Sequence, residues 1–358
     1  MRVRGMLALG AAICALFAVA GQAAAAPAYS FTDLWDFGDS NAFGINSAGQ
    51  VVGDARLDQN YRHGFLYSGG SMVDLGALPG GGNSWAMAIN ASGAVVGYGP
   101  SNDGDRAFIY EGGTMTSLGT LGGQSFGYGI NDAGEAVGHS QITPGGAIHA
   151  FLYSGGSMAD LGTLGGSFSE AYDINNTGQV VGRAARADGT FHAFLYDGGV
   201  MNDLGTLGGS YSYAYGINAF GQVVGYSETA DGSEHAFLYS GGVMSDLGTL
   251  GGDFSFASDI NNAGQIVGAS YTAGGDLRAF LYTEGTMYNI GGLGGKSIAY
   301  GINDAGYVVG TSMLGDGGFS HAFLATPQVP EPATWALLIL GFAATGSALR
   351  SRRRILAV

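Results

Sequence analysis

The sequence predicts an all-β fold of seven similar units, and three observations predict it. The phrase Ile-Asn-x-x-Gly occurs seven times, at intervals of 41 to 44 residues. A His or Arg precedes Ala-Phe or Gly-Phe seven times, at a constant interval of 43 residues. Each unit also divides into four short apolar runs separated by turn residues. Four strands in about 43 residues is the length of one blade, so the sequence predicts a seven-bladed β-propeller of four-stranded blades.

The fourth unit illustrates the pattern. Its apolar runs are EAYDIN, QVVGRAA, FHAFLYD and VMNDLGTL, in that order. Residues 175–178 begin with Asn and end with Gly, as hairpin turns do, and Gly198-Gly199 permits a tight primed turn. The β-branched and aromatic residues of these runs favour strands. No run has the helical period that an α-solenoid requires, and a parallel β-helix uses shorter coils.

The two ends of the repeat array predict how the ring closes. The last unit ends at Leu324 and lacks a fourth run. Near the N-terminus, residues 31–34 read Phe-Thr-Asp-Leu, which matches the missing run. An open array has no reason to place a missing strand at the other end of the chain. We therefore expect residues 29–326 to form one propeller that the N-terminal strand closes.

The first 25 residues have the pattern of a secretory signal peptide. Arg2 and Arg4 precede an apolar stretch over 6–20, and small residues follow it. We expect cleavage after Ala25, with Ala28 as the alternative. The only cysteine, Cys14, lies in this segment. The mature protein should therefore have no disulfide and no thiol chemistry.

Residues 327–358 form a second targeting segment. Residues 333–349 are largely apolar, and their 17 residues are the lower limit for a membrane-spanning helix. A basic cluster follows them, as expected for a cytoplasmic end. The motif residues of the segment are Pro330, Glu331 and Pro332 before the predicted helix and Arg350, Arg352, Arg353 and Arg354 after it. A plain C-terminal anchor is the simpler interpretation.

The order of this segment resembles the PEP-CTERM sorting signal of exopolysaccharide-producing Gram-negative bacteria. The resemblance implies export through the inner membrane and processing by an exosortase-type membrane enzyme. The protein would then reach the cell surface or the extracellular matrix. It also implies that the C-terminal helix is the only part of the chain in the membrane, and only before processing.

The body of the chain resembles the HAF family of extracellular repeats. The resemblance rests on His-Ala-Phe-Leu-Tyr followed by Asp-Leu-Gly-Thr-Leu-Gly-Gly and covers essentially the whole body. The first unit departs from it with Gly64 in place of Ala, and the second and sixth units have Arg in place of His. The family implies an exported repeat protein and carries no assigned activity.

The charge of the chain excludes one class of partner. The net charge is −15, and both predicted targeting segments are net positive, so the body between them is more acidic still. Such a surface repels nucleic acid and anionic lipid and attracts cations. We therefore expect no nucleic-acid partner.

One His or Arg in each unit occupies an equivalent position, and we expect these seven residues to form a structural ring of hydrogen-bond donors. Arg, which only donates, replaces His twice, so the position requires a donor. Adjacent sheets pack about 10 Å apart, whereas zinc ligands each lie about 2 Å from the metal, so the ring cannot gather on one ion. The ring is His63, Arg106, His149, His192, His235, Arg278 and His321.

Two further series repeat with the ring, and we expect both to form hydrogen bonds within or between blades. A serine stands five residues before each repeat Ile: Ser40, Ser84, Ser125, Ser169, Ser212, Ser255 and Ser297. An acid or a short polar residue precedes Leu-Gly or Ile-Gly: Asp74, Ser117, Asp160, Asp203, Asp246 and Asn289. Short acceptors at that position indicate loop hydrogen bonding and no acid–base role.

Function should lie where the repeat is broken. Asp173 and Asp259 stand just before the repeat Ile, where other units have Gly or Ala. They could face the channel and bind a cation such as calcium, act as a carboxylate pair in hydrolysis, or simply be solvated. They are the candidate metal residues of the sequence.

The loops between second and third strands also differ from unit to unit, as recognition loops do. They are 101–105, 186–189, 228–234, 273–276 and 314–318. Their Asp and Gly content loosely resembles calcium loops, although no EF-hand spacing is present. Aromatic residues near the connectors could stack on sugars or pack between blades: Trp85, Phe126, Tyr211, Tyr213, Phe254 and Phe256.

No GxSxG, P-loop or HExxH motif is present, so we name no catalytic residue and no cofactor, with calcium the one possibility. The sequence predicts a non-catalytic binding or structural component of the envelope or exopolysaccharide matrix. Its partners would be extracellular polysaccharide or a surface protein. The alternative is an extracellular polysaccharide hydrolase or lyase. An enzyme needs asymmetric polar side chains that converge at one mouth, whereas a scaffold is nearly symmetric.

Overall fold

The computed structural model describes residues 26–34, 38–56, 60–315 and 318–328. The predicted signal peptide, the predicted helix 333–349 and the residues of the sorting motif lie outside these ranges. Every helix or strand in the described ranges is a β-strand, so the predicted all-β fold is confirmed. No helix in these ranges is long and apolar enough to span a membrane.

The strands fall into seven groups that follow the sequence repeat, which we call units 1 to 7. Unit 1 contains β2 (Ser40–Ile45), β3 (Val51–Arg56), β4 (Arg62–Ser68) and β5 (Ser71–Asp74). Unit 2 contains β6 (Trp85–Ile89), β7 (Val95–Ser101), β8 (Gly104–Glu111) and β9 (Thr114–Ser117). Unit 3 contains β10 (Ser125–Ile130), β11 (Ala136–Gln141), β12 (Ile148–Ser154) and β13 (Ser157–Asp160).

The remaining units follow the same order. Unit 4 contains β14 (Gly165–Ile174), β15 (Val180–Arg186), β16 (Phe191–Asp197) and β17 (Val200–Asp203). Unit 5 contains β18 (Gly208–Ile217), β19 (Val223–Thr229), β20 (Glu234–Ser240) and β21 (Val243–Asp246). Unit 6 contains β22 (Gly251–Ile260), β23 (Ile266–Thr272), β24 (Leu277–Thr283) and β25 (Thr286–Gly291). Unit 7 contains β26 (Ser297–Ile302), β27 (Val308–Met313), β28 (Ser320–Pro327) and, from the start of the chain, β1 (Tyr29–Asp33).

The strands of each unit form an antiparallel meander. Units 1, 2 and 7 are separate four-stranded sheets, and units 3 and 4, like units 5 and 6, join into eight-stranded sheets. A single parallel residue pair makes each of those junctions, Ile148 with Phe168 and Glu234 with Phe254. In unit 7, residues 29–33 of β1 pair with residues 327–323 of β28. The N-terminal strand therefore completes the sheet at the C-terminal end of the array.

The turns use glycine where the backbone requires it. Gly69 and Gly70 join the third and fourth strands of unit 1 with φ angles of 58° and 85°. Two successive positive φ angles define the primed turn that matches the twist of a hairpin. The double glycines of the sequence are therefore conformational requirements of these turns.

The hydrophobic core lies between neighbouring units. One cluster joins Val137 and Ala150 of unit 3 to Ala171, Val180 and Phe194 of unit 4, and all five are completely buried. Full burial of such a Phe stabilises the fold by about 1.5–3 kcal/mol. The Phe of the repeat phrase is at most 1% exposed in every unit: Phe65, Phe108, Phe151, Phe194, Phe237, Phe280 and Phe323.

A closed ring of side-chain hydrogen bonds joins the units at one face. The Asn of each Ile-Asn phrase donates from Nδ2 to the backbone oxygen of the Asn in the next unit, over 3.0–3.2 Å. The last donor, Asn303, bonds to the first residue of the series, Asn46. The ring is Asn46, Asn90, Asn131, Asn175, Asn218, Asn261 and Asn303. The sequence predicted a turn at these residues and missed the link between units.

Candidate functional site

The first strands of the units surround a central channel with a cavity at each end. The cavity at the Asn ring has a volume of about 240 Å³ and is lined by the Ile-Asn turns. The cavity toward the connectors, which we call the aromatic cavity, has a volume of about 380 Å³. It is lined by Phe43, Met87, Tyr128, Tyr172, Tyr215, Phe256, Ser258 and Tyr300.

A β-bulge in the first strand of every unit explains which residues line the aromatic cavity. The pairing with the second strand shifts register just before each repeat Ile, for example between Ala171 and Asp173. The residue inside the bulge, such as Tyr172, has no partner in the ladder and is re-aimed. Seven of the eight lining residues occupy this bulge position, one from each unit.

The rings of the aromatic cavity contact one another around the channel. Tyr172 lies 5.6 Å from Tyr128 and 5.1 Å from Tyr215, measured between ring centroids, and Phe43 lies 5.4 Å from Tyr300. Burial raises the pKa of all four tyrosine hydroxyls in the cavity. The phenols are therefore neutral and act only as hydrogen-bonding groups.

A row of stacked side chains runs along the connector side of the cavity. Trp85 stacks on Tyr98 with a centroid distance of 5.1 Å. Tyr98 meets Phe126 edge-on at 5.0 Å, and Phe126 stacks on His139 at 4.7 Å. Burial lowers the pKa of His139, so this ring is neutral. The row thus crosses from unit 2 into unit 3 without a charge.

The row continues through a partly buried ion pair in unit 4. Glu170 Oε1 lies 3.4 Å from His139 Nδ1, and Glu170 Oε2 lies 2.6 Å from Arg183 Nη2. The Tyr172 hydroxyl donates to the same Oε2 over 2.5 Å. The Arg183 guanidinium lies 4.8 Å from the centroid of Tyr213, a cation–π distance. Glu170 therefore connects the row to the aromatic cavity.

We call this row the aromatic arc. It consists of Trp85, Tyr98, Phe126, His139, Glu170, Arg183, Tyr213 and Tyr226, and its last two rings lie 5.0 Å apart. Its members are four cross-strand pairs, one from each of units 2 to 5. The equivalent pairs elsewhere are Phe256–Ala269, Ile298–Thr311 and Asn41–Asp54. The arc therefore occupies one side of the mouth of the aromatic cavity, the opening toward the connectors, and breaks the symmetry of the repeat.

The two candidate metal residues each bridge neighbouring units. The Asp173 carboxylate accepts from the backbone N–H of Ile174 at 2.8 Å and of Ile217 at 2.9 Å. Asp259 does the same with Ile260 at 2.7 Å and Ile302 at 2.9 Å. No group of three His, Cys, Asp or Glu side chains in the described ranges could hold a metal ion. Cation binding by this pair stays a prediction.

Both carboxyl groups are perturbed by their surroundings. Burial, and then the charge of Asp259, raises the pKa of Asp173 to about 7. Burial, opposed by the two N–H bonds, raises the pKa of Asp259 to about 6, with a further contribution from Asp304. A buried carboxylate without a cation nearby is costly, and the hydrogen bonds offset only part of that cost.

The structural ring pairs with the acidic series. His Nδ1 lies 2.7–3.0 Å from an Asp carboxylate in five units. The pairs are His63–Asp74, His149–Asp160, His192–Asp203, His235–Asp246 and His321–Asp33. In units 2 and 6, where Arg replaces His, Ser117 and Asn289 replace the acid. The two substitutions occur together, which the sequence shows but which our prediction did not connect.

The serine series bridges neighbouring units. Ser169 Oγ accepts from the backbone N–H of Ala150 at 2.8 Å and donates to the carbonyl oxygen of Gly162 at 2.5 Å. Five other serines make the same two bonds, and Ser40 accepts from Ala322 at 2.9 Å. All seven are at most 1% exposed. Each hydroxyl is therefore committed to the backbone and unsuited to act as a nucleophile.

The variable loops lie at the same face as the aromatic cavity. A cavity of about 520 Å³ beside residues 231–234 is lined by three acids together with Phe254 and Tyr271. The Tyr211 hydroxyl donates to Glu234, which ties a connector to this loop. The loop 314–318 includes positions 316 and 317, which lie outside the described ranges.

The C-terminal segment carries the clearest likeness to a known sequence family. Residues 328–354 match a PEP-CTERM protein-sorting motif. The chain carries this sorting motif. The PEP-CTERM motif implies export, anchoring of the C-terminus in the membrane, and processing by an exosortase, which is a membrane enzyme. The predicted sorting signal is thus confirmed.

Solved structures similar to this chain include enzymes and lectins. A dipeptidyl peptidase 4 from Porphyromonas gingivalis is 12% identical, with a TM-score of 0.46 over 75% of this chain and 48% of that one. A gluconolactonase from Xanthomonas campestris is 10% identical, with a TM-score of 0.43 over 84% and 90%. A fucose-specific lectin from Aleuria aurantia is 12% identical, with a TM-score of 0.41 over 73% and 98%.

This chain spans about half the length of the peptidase. A comparison with curated proteins found no relative of the sequence. None of these similarities assigns an activity to the chain.

Proposed function

We propose that the protein is a non-catalytic, carbohydrate-binding component of the exopolysaccharide matrix or envelope of a Gram-negative bacterium. The sorting motif supports display at the cell surface after processing. The observation that carries the binding role is the aromatic arc beside the aromatic cavity. We further propose that each unit is one blade of a seven-bladed propeller of the HAF type, in which residues 29–326 form a single domain.

The chemistry of the mouth suits a saccharide. Sugars present apolar C–H faces and a rim of hydroxyl groups, and small-molecule sites combine aromatic walls with a few fixed polar groups. Here the walls are the arc and the cavity rings, and the polar groups are the Glu170–Arg183 pair and the Tyr172 hydroxyl. Because the ion pair is held in the strand pairing, its geometry is preorganised for a ligand.

The same contacts argue against catalysis. A general acid or base must be free to exchange a proton with the substrate. Glu170 is engaged by Arg183 and by Tyr172, and the repeat serines are engaged by the backbone. The raised pKa of Tyr172 prevents it from becoming a nucleophilic phenolate at neutral pH.

A polysaccharide hydrolase or lyase is the second candidate function. Two observations favour it: the arc is asymmetric, and the pKa of Asp173, about 7, suits a general acid. A retaining glycosidase would need a second carboxyl group about 5–5.5 Å from the first. An inverting glycosidase would need two carboxyl groups that lie farther apart.

One experiment separates the two functions. The purified full-length protein is screened on a glycan array and then incubated with each bound glycan, with and without calcium. We expect binding without cleavage. Tyr172→Ala should abolish binding, whereas Tyr288→Ala, on the outer strand β25, should not. Release of shorter glycan products would establish the hydrolase or lyase in place of the binding role.

A further inference from the structure

The aromatic cavity has the composition of a cation-binding cage. Six of its eight lining residues are aromatic, and none carries a charge. Neighbouring rings are tilted by 48° to 57° to one another, so they wrap around the channel instead of stacking flat. The face of an aromatic ring attracts a cation that lies within about 6 Å of its centroid. A ring of such faces without a resident cation is suited to a cationic ligand.

Negative charge lies one residue beyond the cage on two of its strands. Asp173 directly follows Tyr172, and Asp259 directly follows Ser258. Both carboxylates bond to backbone N–H groups. Neither is paired with a Lys, Arg or His side chain within the described part of the chain. The two carboxyl groups therefore lack a cationic partner among the described residues, and a cation bound in the cavity would stabilise their ionised forms.

The nearest guanidinium does not fill this role. Arg183 is held by Glu170 at 2.6 Å and lies over the ring of Tyr213, outside the lining of the cavity. Ser258, which does line the cavity, has a buried Oγ with no hydrogen-bond partner among the described residues. A ligand that carries a cationic group and a hydrogen-bonding group would satisfy both features.

We propose that the aromatic cavity binds an alkylammonium group, so that the saccharide this protein takes is an amino sugar with a free amine. The saccharide part rests on the proposed function, whereas the ammonium part rests on the cavity alone. The faces of aromatic rings attract a desolvated cation more strongly than a hydrated one. A neutral N-acetylated sugar would leave the two carboxylates without a counter-charge.

The first test uses a matched pair of probes that differ only in charge. Choline and 3,3-dimethylbutan-1-ol have the same shape, and only choline is cationic. Calorimetric titration of the full-length protein should give at least tenfold tighter binding of choline. Equal binding of the two probes, or binding of neither, would overturn the proposal. This comparison uses the unmodified protein and so does not depend on a variant that folds.

Variants then locate the site. The double variant Asp173→Asn/Asp259→Asn should weaken choline binding at least tenfold, whereas Glu111→Gln, at the exposed end of β8, should not change it. Tyr172→Phe keeps the ring and should retain binding, and Tyr172→Leu should lose it. Choline binding that survives Tyr172→Leu would place the site elsewhere and contradict the proposal. A thermal unfolding curve for each variant shows whether it is folded.

The last test separates this inference from the proposed function. Glucosamine oligosaccharides are compared with the same oligosaccharides after N-acetylation. Preference for the free amine supports both proposals. Equal or tighter binding of the acetylated form overturns the amino-sugar inference and leaves carbohydrate binding intact. Choline binding without any glycan binding supports the ammonium cage and overturns the carbohydrate role.

Discussion

His321 Nδ1 lies 2.8 Å from Asp33 Oδ2, and 288 positions of the sequence separate the two residues. The same pair in other units joins residues only 11 positions apart, such as His149 and Asp160. In those units a two-residue turn already holds the strands together. In unit 7 no turn connects β1 to β28, so the pair contributes to closing the ring.

Removing the His321–Asp33 pair should therefore reduce the free energy of unfolding more than removing the His149–Asp160 pair. We expect Asp33→Ala to lower the free energy of unfolding by about 1–2 kcal/mol, the range of a partly buried charged hydrogen bond. The matched control is Asp160→Ala, whose carboxylate is 40% exposed and whose strands stay joined. Denaturant titration measures both. An equal loss in the two variants would show that the pair at the closure has no special role.

The Asn ring should be among the most sensitive positions. Asn303 donates to Asn46 of unit 1, and its Oδ1 accepts from the backbone N–H groups of Ala305 and Tyr307. Asn303→Ala removes all three bonds and leaves the buried backbone oxygen of Asn46 without this donor, so we expect a loss of about 1–3 kcal/mol. Asn289→Ala, on an outer strand, serves as the control and should cost less. Similar midpoints for both variants in denaturant would contradict the role of the ring.

The joint substitution of His and Asp predicts an energetic coupling. In a double-mutant cycle of His235→Ala and Asp246→Ala, we expect a coupling energy of about 0.5–1 kcal/mol, because the Asp246 carboxylate is 42% exposed. The equivalent cycle in unit 6, with Arg278→Ala and Asn289→Ala, should show smaller coupling. Additive effects at His235 and Asp246 would mean that their contact contributes nothing to stability.

The buried carboxyl groups predict a stability that falls as the pH rises. The pKa values of Asp173 and Asp259, about 7 and about 6, lie above the usual value near 3.8. Between about pH 4 and pH 7 the folded protein therefore binds more protons than the unfolded chain, so stability decreases with pH. The two carboxyl groups make their full contribution to the free energy of unfolding below about pH 4. This contribution is lost as the pH rises through their pKa values in the folded protein.

The double variant Asp173→Asn/Asp259→Asn should lose this dependence. Relative to wild type, its free energy of unfolding should improve by about 1 kcal/mol or more between pH 4.5 and pH 7.5. Thermal and denaturant unfolding at several pH values measure the change. Asp103→Asn, in an exposed loop, should follow the wild-type profile. If the double variant also follows that profile, the two carboxyl groups are not the source of the pH dependence.

The sequence could predict the features that each unit contains by itself. Alternating apolar runs and Gly-Gly turns determine the strands locally, and the match between residues 31–34 and the fourth runs indicated where β1 pairs. The all-β fold and its four-stranded sheets are confirmed. The identity of the ligand and the cation-binding role of Asp173 and Asp259 remain predictions.

The features that depend on two units at once escaped the sequence analysis. The bulge before each repeat Ile aims Tyr172 into the channel and turns Asp173 toward Ile217 of the next unit. Alternation along a strand would have assigned the opposite faces, because a one-residue insertion inverts the pattern. Of the aromatic arc, the sequence analysis named Trp85, Phe126 and Tyr213 and missed their partners for a related reason. Its members stand in different strands of each unit, and only the cross-strand register brings Phe126 beside His139.

The pairing of β1 with β28 also determines at which face of the units the described chain begins and ends. The backbone N–H of Gln328 donates to Ala28 at 2.8 Å, and the Tyr29 hydroxyl donates to Gly306 in an Ile-Asn turn. The described chain therefore begins and ends at the face of the Asn ring, while the aromatic cavity opens toward the connectors at the other face. The C-terminal segment therefore follows from the face opposite the one at which the aromatic cavity opens.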